Sequence, residues 1–437
     1  MNYNDLDRRT FISSVGKGIG LATLSSAYVL SLQEKLMAAT RDFDHLTPDE
    51  AAVNDDFWFP IQQSFAISRG SINLNNGGVS PSPRIVTEAL VRYQWQQEDA
   101  TAYTMWQLMQ PQLETIRTGL AEMFGCDREE IAITRNASES LEILLMGMDL
   151  KNGDEVLTTT QDYPRMLTTL RQREIREGIV LKMVKVPVPA NSKDQVVEAF
   201  AKGISSKTKV ILISHQINLT GQIMPVKEIC ALAKSKGIEV IVDGAHSFSQ
   251  FDFKQKDLNC DYFGTSLHKW LYAPKGTGML FIKKEKISKI WPLMAADAKQ
   301  STDIRKFEEI GTNSIAIKLA IGEAIAFSNG IGPKRKEARL RFLSRYWMNA
   351  LKNEKGIYFN TSFDDSLSCA IGNFGIEGVD SVALGGFLQS KHKIYSTPIV
   401  HDEFKGIRIT PNLYTTTSEL DRFCNIVREI CKTGLPK

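Results

Sequence analysis

The chain has 437 residues, a formal net charge of +3, and apolar and charged fractions ordinary for a globular protein. This length is enough for two domains that share a sizeable core. The basic residues are spread along the chain and the aromatic residues fall mainly in apolar segments, so nothing indicates a nucleic-acid surface. The six cysteines form no C-x-x-C pair, which argues against a zinc ribbon or a thioredoxin-type motif.

The first forty residues are typical of an export signal. Arg8-Arg9 precedes Thr10-Phe11-Ile12, a moderately apolar run follows over about 15–32, and Leu36-Met37-Ala38-Ala39-Thr40 offers small residues for cleavage. This order resembles a twin-arginine signal, the alternative being a frayed basic helix. We therefore expect the twin-arginine machinery to export the protein to the periplasm, with the mature chain beginning near Thr40.

The next elements are a mixed region and the start of the folded domain. Residues 41–65 have no clear pattern, and Pro48 and Pro60 are expected to break helices there. Residues 71–78 indicate a short strand that ends in a turn, and a helix is expected from near Arg84.

From residue 131 onward, short apolar runs alternate with helical patterns. The predicted strands are 131–134, 155–159, 180–188, 209–213, 239–243, 262–264 and 278–282. The predicted helices between them are 138–148, 193–202 and 226–236. The alternation predicts an α/β fold with a mostly parallel sheet and helices on both faces.

The pattern changes after about Ala316. A long helical stretch runs toward Leu351 with a break at 330–333, and it is followed by strands near 368–376 and 406–409 and a helix over 418–432. This part is predicted to be a smaller α+β domain. The predicted division is a signal segment at 1–40, an N-terminal segment at 41–80, a large domain at 81–318 and a small C-terminal domain at 319–437.

Polar residues at the ends of strands mark the expected ligand site, because ligands of open α/β sheets bind beyond the carboxyl ends of the strands. Asp243 directly follows Val240-Ile241-Val242, where a carboxylate needs a cationic partner such as a protonated pyridine nitrogen; a helix cap or a salt bridge is the alternative. Lys269, between His268 and Trp270, is a candidate for a desolvated, nucleophilic amine, although a lone lysine usually lies on the surface.

The segment Arg135-Asn136-Ala137-Ser138-Glu139-Ser140 joins a predicted strand to a helix. Free N–H groups at a helix start bind phosphate, and Ser138 adds a hydroxyl; simple capping by Asn136 or Ser138 is the alternative. Competing motifs such as a P-loop, H-E-x-x-H or G-x-S-x-G are missing from the sequence. No metal site is predicted, since His215, His246 and His268 have no partner at ligand spacing.

Together these residues resemble a fold-type I enzyme of the class V aminotransferase family, which uses pyridoxal 5′-phosphate (PLP). The resemblance is greatest to the isopenicillin N epimerase-like branch, with cysteine desulfurases as more distant relatives, and it covers about residues 72–430. The matching pieces are Leu74-Asn75-Asn76-Gly77, Thr134-Arg135-Asn136-Ala137-Ser138-Glu139, Gly153-Asp154-Glu155-Val156, His215-Gln216-Ile217-Asn218-Leu219-Thr220-Gly221, Asp243-Gly244-Ala245-His246, Ser266-Leu267-His268-Lys269, Gly311-Thr312 and Arg408-Ile409-Thr410-Pro411.

The resemblance implies a role for each site residue. Lys269 would bind the cofactor covalently and move the substrate Cα proton, Asp243 would pair with the pyridine nitrogen, and Tyr163 would stack on the ring. The cofactor-binding residues would be Ala137, Ser138, Asn218, Asp243, His246, Ser266, His268, Lys269 and, from the second subunit of a homodimer, Thr312. Arg408 would bind the substrate carboxylate, and Asn76 would line the substrate side.

One departure bears on the reaction. Cysteine desulfurases need a nucleophilic cysteine on a loop shortly before the carboxylate-binding arginine, yet residues 378–407 contain none, and Cys369 lies in an apolar strand pattern. We therefore expect an enzyme that removes the Cα proton of an amino acid or a small derivative, as an epimerase or an aminotransferase. The alternatives are a carbon–sulfur lyase and a non-catalytic PLP-fold binding protein.

Overall fold

A computed structural model describes residues 41–436 of the chain, so the predicted signal segment at 1–40 lies outside the described residues. The numbering of elements below counts the described part alone. The helices are α1 Pro48–Val53, α2 Asp55–Gln63, α3 Arg84–Glu98, α4 Thr101–Tyr103, α5 Leu113–Phe124, α6 Ala137–Gly147, α7 Pro164–Glu177, α8 Lys193–Gly203, α9 Val226–Lys234, α10 Gln255–Leu258, α11 Ile315–Leu319, α12 Ile321–Ile331, α13 Pro333–Leu351, α14 Ser381–His392 and α15 Thr417–Thr433. The strands are β1 Ile72–Asn73, β2 Ile131–Thr134, β3 Glu155–Thr159, β4 Val180–Val184, β5 Thr208–Ser214, β6 Glu239–Asp243, β7 Tyr262–Ser266, β8 Gly278–Ile282, β9 Ile357–Phe359, β10 Gly372–Ile376, β11 Ile394–Tyr395, β12 Thr397–Val400 and β13 Lys405–Ile409.

The largest sheet has seven strands in the order β2-β8-β7-β6-β5-β3-β4. Every neighbouring pair from β7 to β4 is parallel, whereas β8 runs antiparallel to both β2 and β7. The middle residues of the central strands β5 and β6 are apolar because both faces of a parallel sheet are covered by helices. This arrangement confirms the predicted fold class.

Two hydrophobic cores lie on the two faces of this sheet. In β6, Val240 and Val242 belong to one core while Ile241 belongs to the other, and all three are at most 2% exposed. Successive side chains of a strand point to opposite faces, so one apolar run serves both cores. The site-bearing ends of β6 and β7 are thereby fixed between two packed layers.

A third core belongs to the C-terminal part of the chain. It lies against an antiparallel sheet of order β12-β13-β10-β9 and is completed by α13, α14 and α15. Helix α13 joins two cores, because Leu340 packs in the large core while Leu343 and Trp347 pack in the small one. The predicted domain boundary after residue 318 stays a prediction.

Two local predictions about proline and the helical breaks are decided by the structure. Pro60 was expected to break a helix but lies inside α2, where the Asn54 side chain caps the start and Phe57, Trp58 and Ile61 are fully buried. The break expected at 330–333 is confirmed, and Gly332 adopts φ 92°, a conformation that favours glycine.

Within residues 41–436 no single helix is long and apolar enough to cross a membrane. Only the pair Ile315–Ile331 and Pro333–Leu351 reaches that length and composition together, and the two helices are bent by 78° at the break between them.

Candidate active site

A cavity of about 560 Å³ opens at the carboxyl ends of β2, β5, β6 and β7. Its walls include nine of the predicted site residues. These are Ala137, Ser138, Tyr163, Asn218, Asp243, His246, Ser266, His268 and Lys269. The aspartate and the lysine on which the sequence argument depends therefore face one space.

Asp243 is the last residue of β6 and is 7% exposed. Burial raises the pKa of its carboxyl group to about 6, although the Ala245 N–H, which donates to Oδ1 at 2.9 Å, and the charge of Lys269 lower it. Buried carboxylates are costly unless a donor or a cation meets them. Asp243 thus presents a carboxylate that a cationic ring nitrogen would satisfy.

Lys269 lies three residues beyond β7. Its Nζ is 3.1 Å from Nε2 of His246, and burial lowers the pKa of its amine to about 8. The Asp243 charge raises that pKa and the Arg408 charge lowers it further. An amine in this state has a substantial neutral fraction near neutral pH, as covalent capture of an aldehyde requires.

Helix α6 begins at the wall of the same cavity. The Asn136 side chain caps it by accepting from Glu139 N, and the Ala137 N–H donates to Ser266 Oγ at 2.9 Å, which ties the helix start to the end of β7. The Nδ1 atom of His268 is buried without a partner among the described residues. The positive end of the helix dipole, the Ser138 hydroxyl and this imidazole nitrogen together fit a phosphate group.

Tyr163 and Asn218 also line the cavity. Tyr163 directly precedes α7 and is 41% exposed. Asn218 contributes its backbone oxygen to Arg408 and lines the cavity as well.

Arg408, in β13, is 6% exposed and has no carboxylate partner in the described part of the chain. Its guanidinium donates to Asn218 O at 3.0 Å, to Asn75 Oδ1 at 2.8 Å and to Thr397 Oγ1 at 3.3 Å, while its Nε is unpaired. Burial lowers the pKa of this group to about 10. A buried cation held only by neutral acceptors is a strong receptor for an incoming carboxylate.

The side chain of Asn76 is fully paired within the fold, so its predicted place on the substrate side stays a prediction. Its Nδ2 donates to Asn73 O and Thr410 O, and its Oδ1 accepts from Asn73 Nδ2 and Tyr414 Oη. The neighbouring Asn75 instead reaches Arg408. Thr312 is exposed and lies outside the walls of this cavity, and its predicted role in a second subunit stays a prediction.

Sequence reasoning missed Asp162, which is 2% exposed and directly precedes Tyr163. Its carboxylate accepts from the hydroxyl groups of Thr158, Thr159 and Ser214 and from the N–H groups of Thr159 and Ser214, at 2.6–3.0 Å. Asp162 thereby joins the ends of β3 and β5 directly before Tyr163. The signal was a second acidic residue close after an apolar strand, the same pattern that indicated Asp243.

The cysteine and histidine expectations can also be compared with the structure. Cys369 is fully buried, and burial raises the pKa of its thiol to about 12, which confirms it as a core residue. His215 packs against the rings of Phe251 and Phe253, and no group of three metal-ligating side chains forms within the described residues.

A covered, mostly parallel sheet with a desolvated lysine, a buried aspartate and a helix start around one cavity is typical of the class of fold-type I PLP enzymes. The sequence profile of the family Aminotransferase class-V matches residues 72–422. The chain belongs to this family, whose members are PLP-dependent enzymes. The groups described above fit that cofactor, since they offer an amine, a carboxylate for a ring nitrogen and a helix start for a phosphate.

The chain is also similar to individual curated proteins and solved structures. The isopenicillin N epimerase of Amycolatopsis lactamdurans is 26% identical over 394 residues, which is 86% of this chain and 99% of the relative. A probable cysteine desulfurase of Synechocystis sp. is 28% identical over 295 residues, or 62% of this chain and 69% of the relative. Among solved structures, C-DES with glycine covalently linked to its PLP cofactor matches with a TM-score of 0.75 at 20% identity, covering 84% of this chain and 99% of that one. The cysteine desulfurase of Thermococcus onnurineus NA1 matches with a TM-score of 0.73 at 21% identity, covering 85% and 97%. These two structures confirm the fold.

Proposed function

We propose that this enzyme removes the Cα proton of an amino acid, or of a small derivative that keeps the amino-acid centre, as an epimerase or an aminotransferase. The observation that carries the proposal is that the half-buried Lys269 and the buried Asp243 line one cavity, with the cation of Arg408, which has no carboxylate partner among the described residues, near enough to lower the pKa of Lys269. Bound PLP supplies an electron sink that stabilises negative charge at Cα.

The residues of the chain divide the remaining work. Arg408 holds the substrate carboxylate, because its guanidinium lacks a charged partner and its Nε lacks any. Lys269 accepts the Cα proton at Nζ, and the nearby His246 ring keeps that amine in place at 3.1 Å. Asp243 would hold a proton at the ring nitrogen of bound PLP, and Tyr163 would lie against the ring.

The relatives support this proposal but leave the outcome of the proton removal open. Isopenicillin N epimerases and cysteine desulfurases both resemble the chain. The desulfurase reaction is disfavoured because Cys369 is buried in the core and residues 378–407 contain no cysteine. A carbon–sulfur lyase is the second candidate, since a solved structure of similar fold is described as the cystine C–S lyase C-DES.

The first experiment tests whether Lys269 binds the cofactor. Protein reconstituted with PLP should be yellow, and borohydride should abolish the visible absorbance band of the lysine-bound cofactor. Lys269→Ala should lack this band, whereas Lys275→Ala, a change at an exposed lysine nearby, should keep it. Absorbance spectra of the three proteins provide the measurement. A colourless wild-type protein would favour a binding role instead.

The reaction type can be tested with a panel of amino acids in deuterated water. Deuterium at Cα with inverted configuration identifies an epimerase, and a keto acid that forms only with a second keto acid identifies an aminotransferase. Pyruvate together with a reduced sulfur species identifies the lyase. If no substrate on the panel exchanges its Cα hydrogen, proton removal at Cα is contradicted.

We also propose that the protein is exported through the twin-arginine route, on the basis of Arg8-Arg9 and the apolar run that follows. Cells that carry Arg8→Lys together with Arg9→Lys should retain the protein in the cytoplasm. Fractionation with immunoblotting measures this, and an unchanged location in the double variant would contradict the proposal.

A further inference from the structure

Lys336 is a buried lysine that does not line the catalytic cavity. It lies in the first turns of α13, is 1% exposed and forms no ion pair with any residue of the described chain. Lysine is rarely buried without a charged partner, because the ammonium group loses its hydration. Its contacts must therefore compensate for that loss.

The amine of Lys336 contacts two segments that reach the cavity. Nζ donates to the backbone oxygen of Trp270 and to Ser249 Oγ at 2.9 Å, and it lies 4.3 Å from the ring centroid of Tyr272. Trp270 directly follows Lys269 in the chain. Ser249 ends the segment that begins at Asp243, so one amine connects the two stretches of backbone that carry the facing ionisable groups.

Each segment contains a residue with a positive φ, a backbone conformation that residues other than glycine seldom adopt. Ser249 has φ 62° and Tyr272 has φ 64°, in the left-handed region that L-residues other than Asn and Asp avoid. Such conformations persist where surrounding contacts hold them. The Lys336 amine contacts both Ser249 and Tyr272, so the two strained residues share this contact.

We propose that Lys336 is a positioning residue that holds the Lys269 segment against the turn formed by residues 243–249. Without it, the two segments lose their shared anchor, and the separation between Lys269 and its neighbours His246 and Asp243 is no longer fixed. This proposal rests on the proposed function in one respect, namely that Lys269 is the cofactor-binding lysine.

The test compares two buried lysines. Lys336→Met keeps the aliphatic stem and removes the amine, and Lys306→Met is the matched control, because Lys306 is also buried and donates to Ile287 O at 2.7 Å and Ser301 O at 2.9 Å. Amide hydrogen exchange is measured on both cofactor-free proteins. We expect about tenfold faster exchange in 246–250 and 269–273 for Lys336→Met and wild-type rates there for Lys306→Met.

A spectroscopic measurement on the cofactor-loaded proteins follows the same comparison. The pH midpoint of the absorbance of the lysine-bound cofactor should shift by about half a pH unit or more in Lys336→Met and stay at the wild-type value in Lys306→Met. Equal effects of the two variants on exchange and on the midpoint, or no effect of either, would overturn the proposal.

Ser249→Ala provides a second, milder variant in case Lys336→Met folds poorly. It removes one acceptor of the Lys336 amine and leaves the bond to Trp270 O. A midpoint shift in the same direction, but smaller, supports the proposal, and an unchanged midpoint together with unchanged exchange overturns it. The exchange measurement needs no cofactor, so it distinguishes failure of this proposal from failure of Lys269 as the cofactor-binding residue.

Discussion

At the scale of single residues, burial brings the pKa values of Asp243 and Lys269 closer together. It raises the pKa of Asp243 to about 6 and lowers the pKa of Lys269 to about 8, because the neutral form of each group is favoured away from water. The opposite charges of the two groups partly counteract both shifts. The site therefore holds a carboxylate that is mainly ionised and an amine that is partly neutral near pH 7.

The pKa of Lys269 predicts how fast cofactor-free protein captures PLP at each pH. Only the neutral amine reacts, so the rate should rise about tenfold per pH unit below about 8 and level off above it. Stopped-flow absorbance between about pH 6.5 and 10 measures this. A rate that keeps rising toward pH 10.5, the ordinary lysine value, would show that the amine is not desolvated.

Variants of the two charged neighbours of Lys269 check this pH dependence. Asp243→Asn should move the pH midpoint of the capture rate to lower pH, since the lost negative charge no longer favours the ammonium form of Lys269. Arg408→Gln should move it to higher pH, since a positive charge that disfavours the ammonium form is removed.

The sequence identified residues of the site well where a side chain follows a buried strand. Asp243 and Lys269 could be placed because the ends of neighbouring parallel strands meet at one edge of the sheet. Asn75 and Asn76 could not be distinguished, because adjacent residues in a turn point in different directions and the sequence contains both. The isolation of Arg408 from carboxylates depends on chain segments more than 150 residues apart, which no local pattern encodes.

At the scale of elements, the junction between β3 and α7 is predicted to depend on Asp162. Asp162→Asn places an NH₂ group among hydroxyl and N–H donors, so buried donors lose an acceptor, at a cost of about 1–3 kcal/mol in the free energy of unfolding. The PLP dissociation constant should also rise, because Tyr163 follows directly. Urea unfolding and a cofactor titration measure the two effects.

Asp127→Asn is the matched control for this change. Asp127 accepts from Glu129 N at an exposed helix start, and asparagine caps such positions about as well as aspartate. This variant should unfold at the wild-type urea concentration. Equal stability of the two variants would contradict a special role for the buried carboxylate.

Whether a helix or strand could be predicted from the sequence depends on how much of it is buried. Strands β2, β3, β6 and β8 have their predicted bounds, because an apolar run bounded by polar residues is unambiguous in a covered sheet. Helix α7 was missed, since it is rich in arginine and threonine and buries chiefly Met166, Leu167 and Leu170. Its start depends on the Asp162 network, which involves Ser214 from another strand and so cannot be derived from the local sequence.

At the scale of the whole molecule, the homodimer expected from the sequence would cover an apolar surface that is costly to expose. Five large apolar side chains on and after α3 are exposed by 45–75%, and they are Val91, Trp95, Tyr103, Trp106 and Leu108. Gln97, a buried residue of the same helix, accepts from Ser314 Oγ at 3.2 Å, which ties the Thr312 loop to α3. A second subunit that covers the surface would therefore lie close to Thr312.

The dimer can be tested by placing charges on this surface. Trp95→Glu with Trp106→Glu should give monomers, because burying two carboxylates without partners is unfavourable, and the PLP dissociation constant should rise about tenfold or more as Thr312 of the partner is withdrawn. Ile175→Glu, a change at a side chain that is 90% exposed on α7, is the control and should leave both properties unchanged.

Sedimentation and a cofactor titration on the same samples separate two causes of weaker binding. Thr312→Ala should weaken PLP binding in a protein that remains dimeric, because it removes the contact without disturbing the apolar surface. If the charged double variant becomes monomeric yet binds PLP as tightly as the wild type, each cavity is complete within its own subunit. The exposed Thr312 would then have no role at the phosphate, and the apolar surface would serve assembly alone.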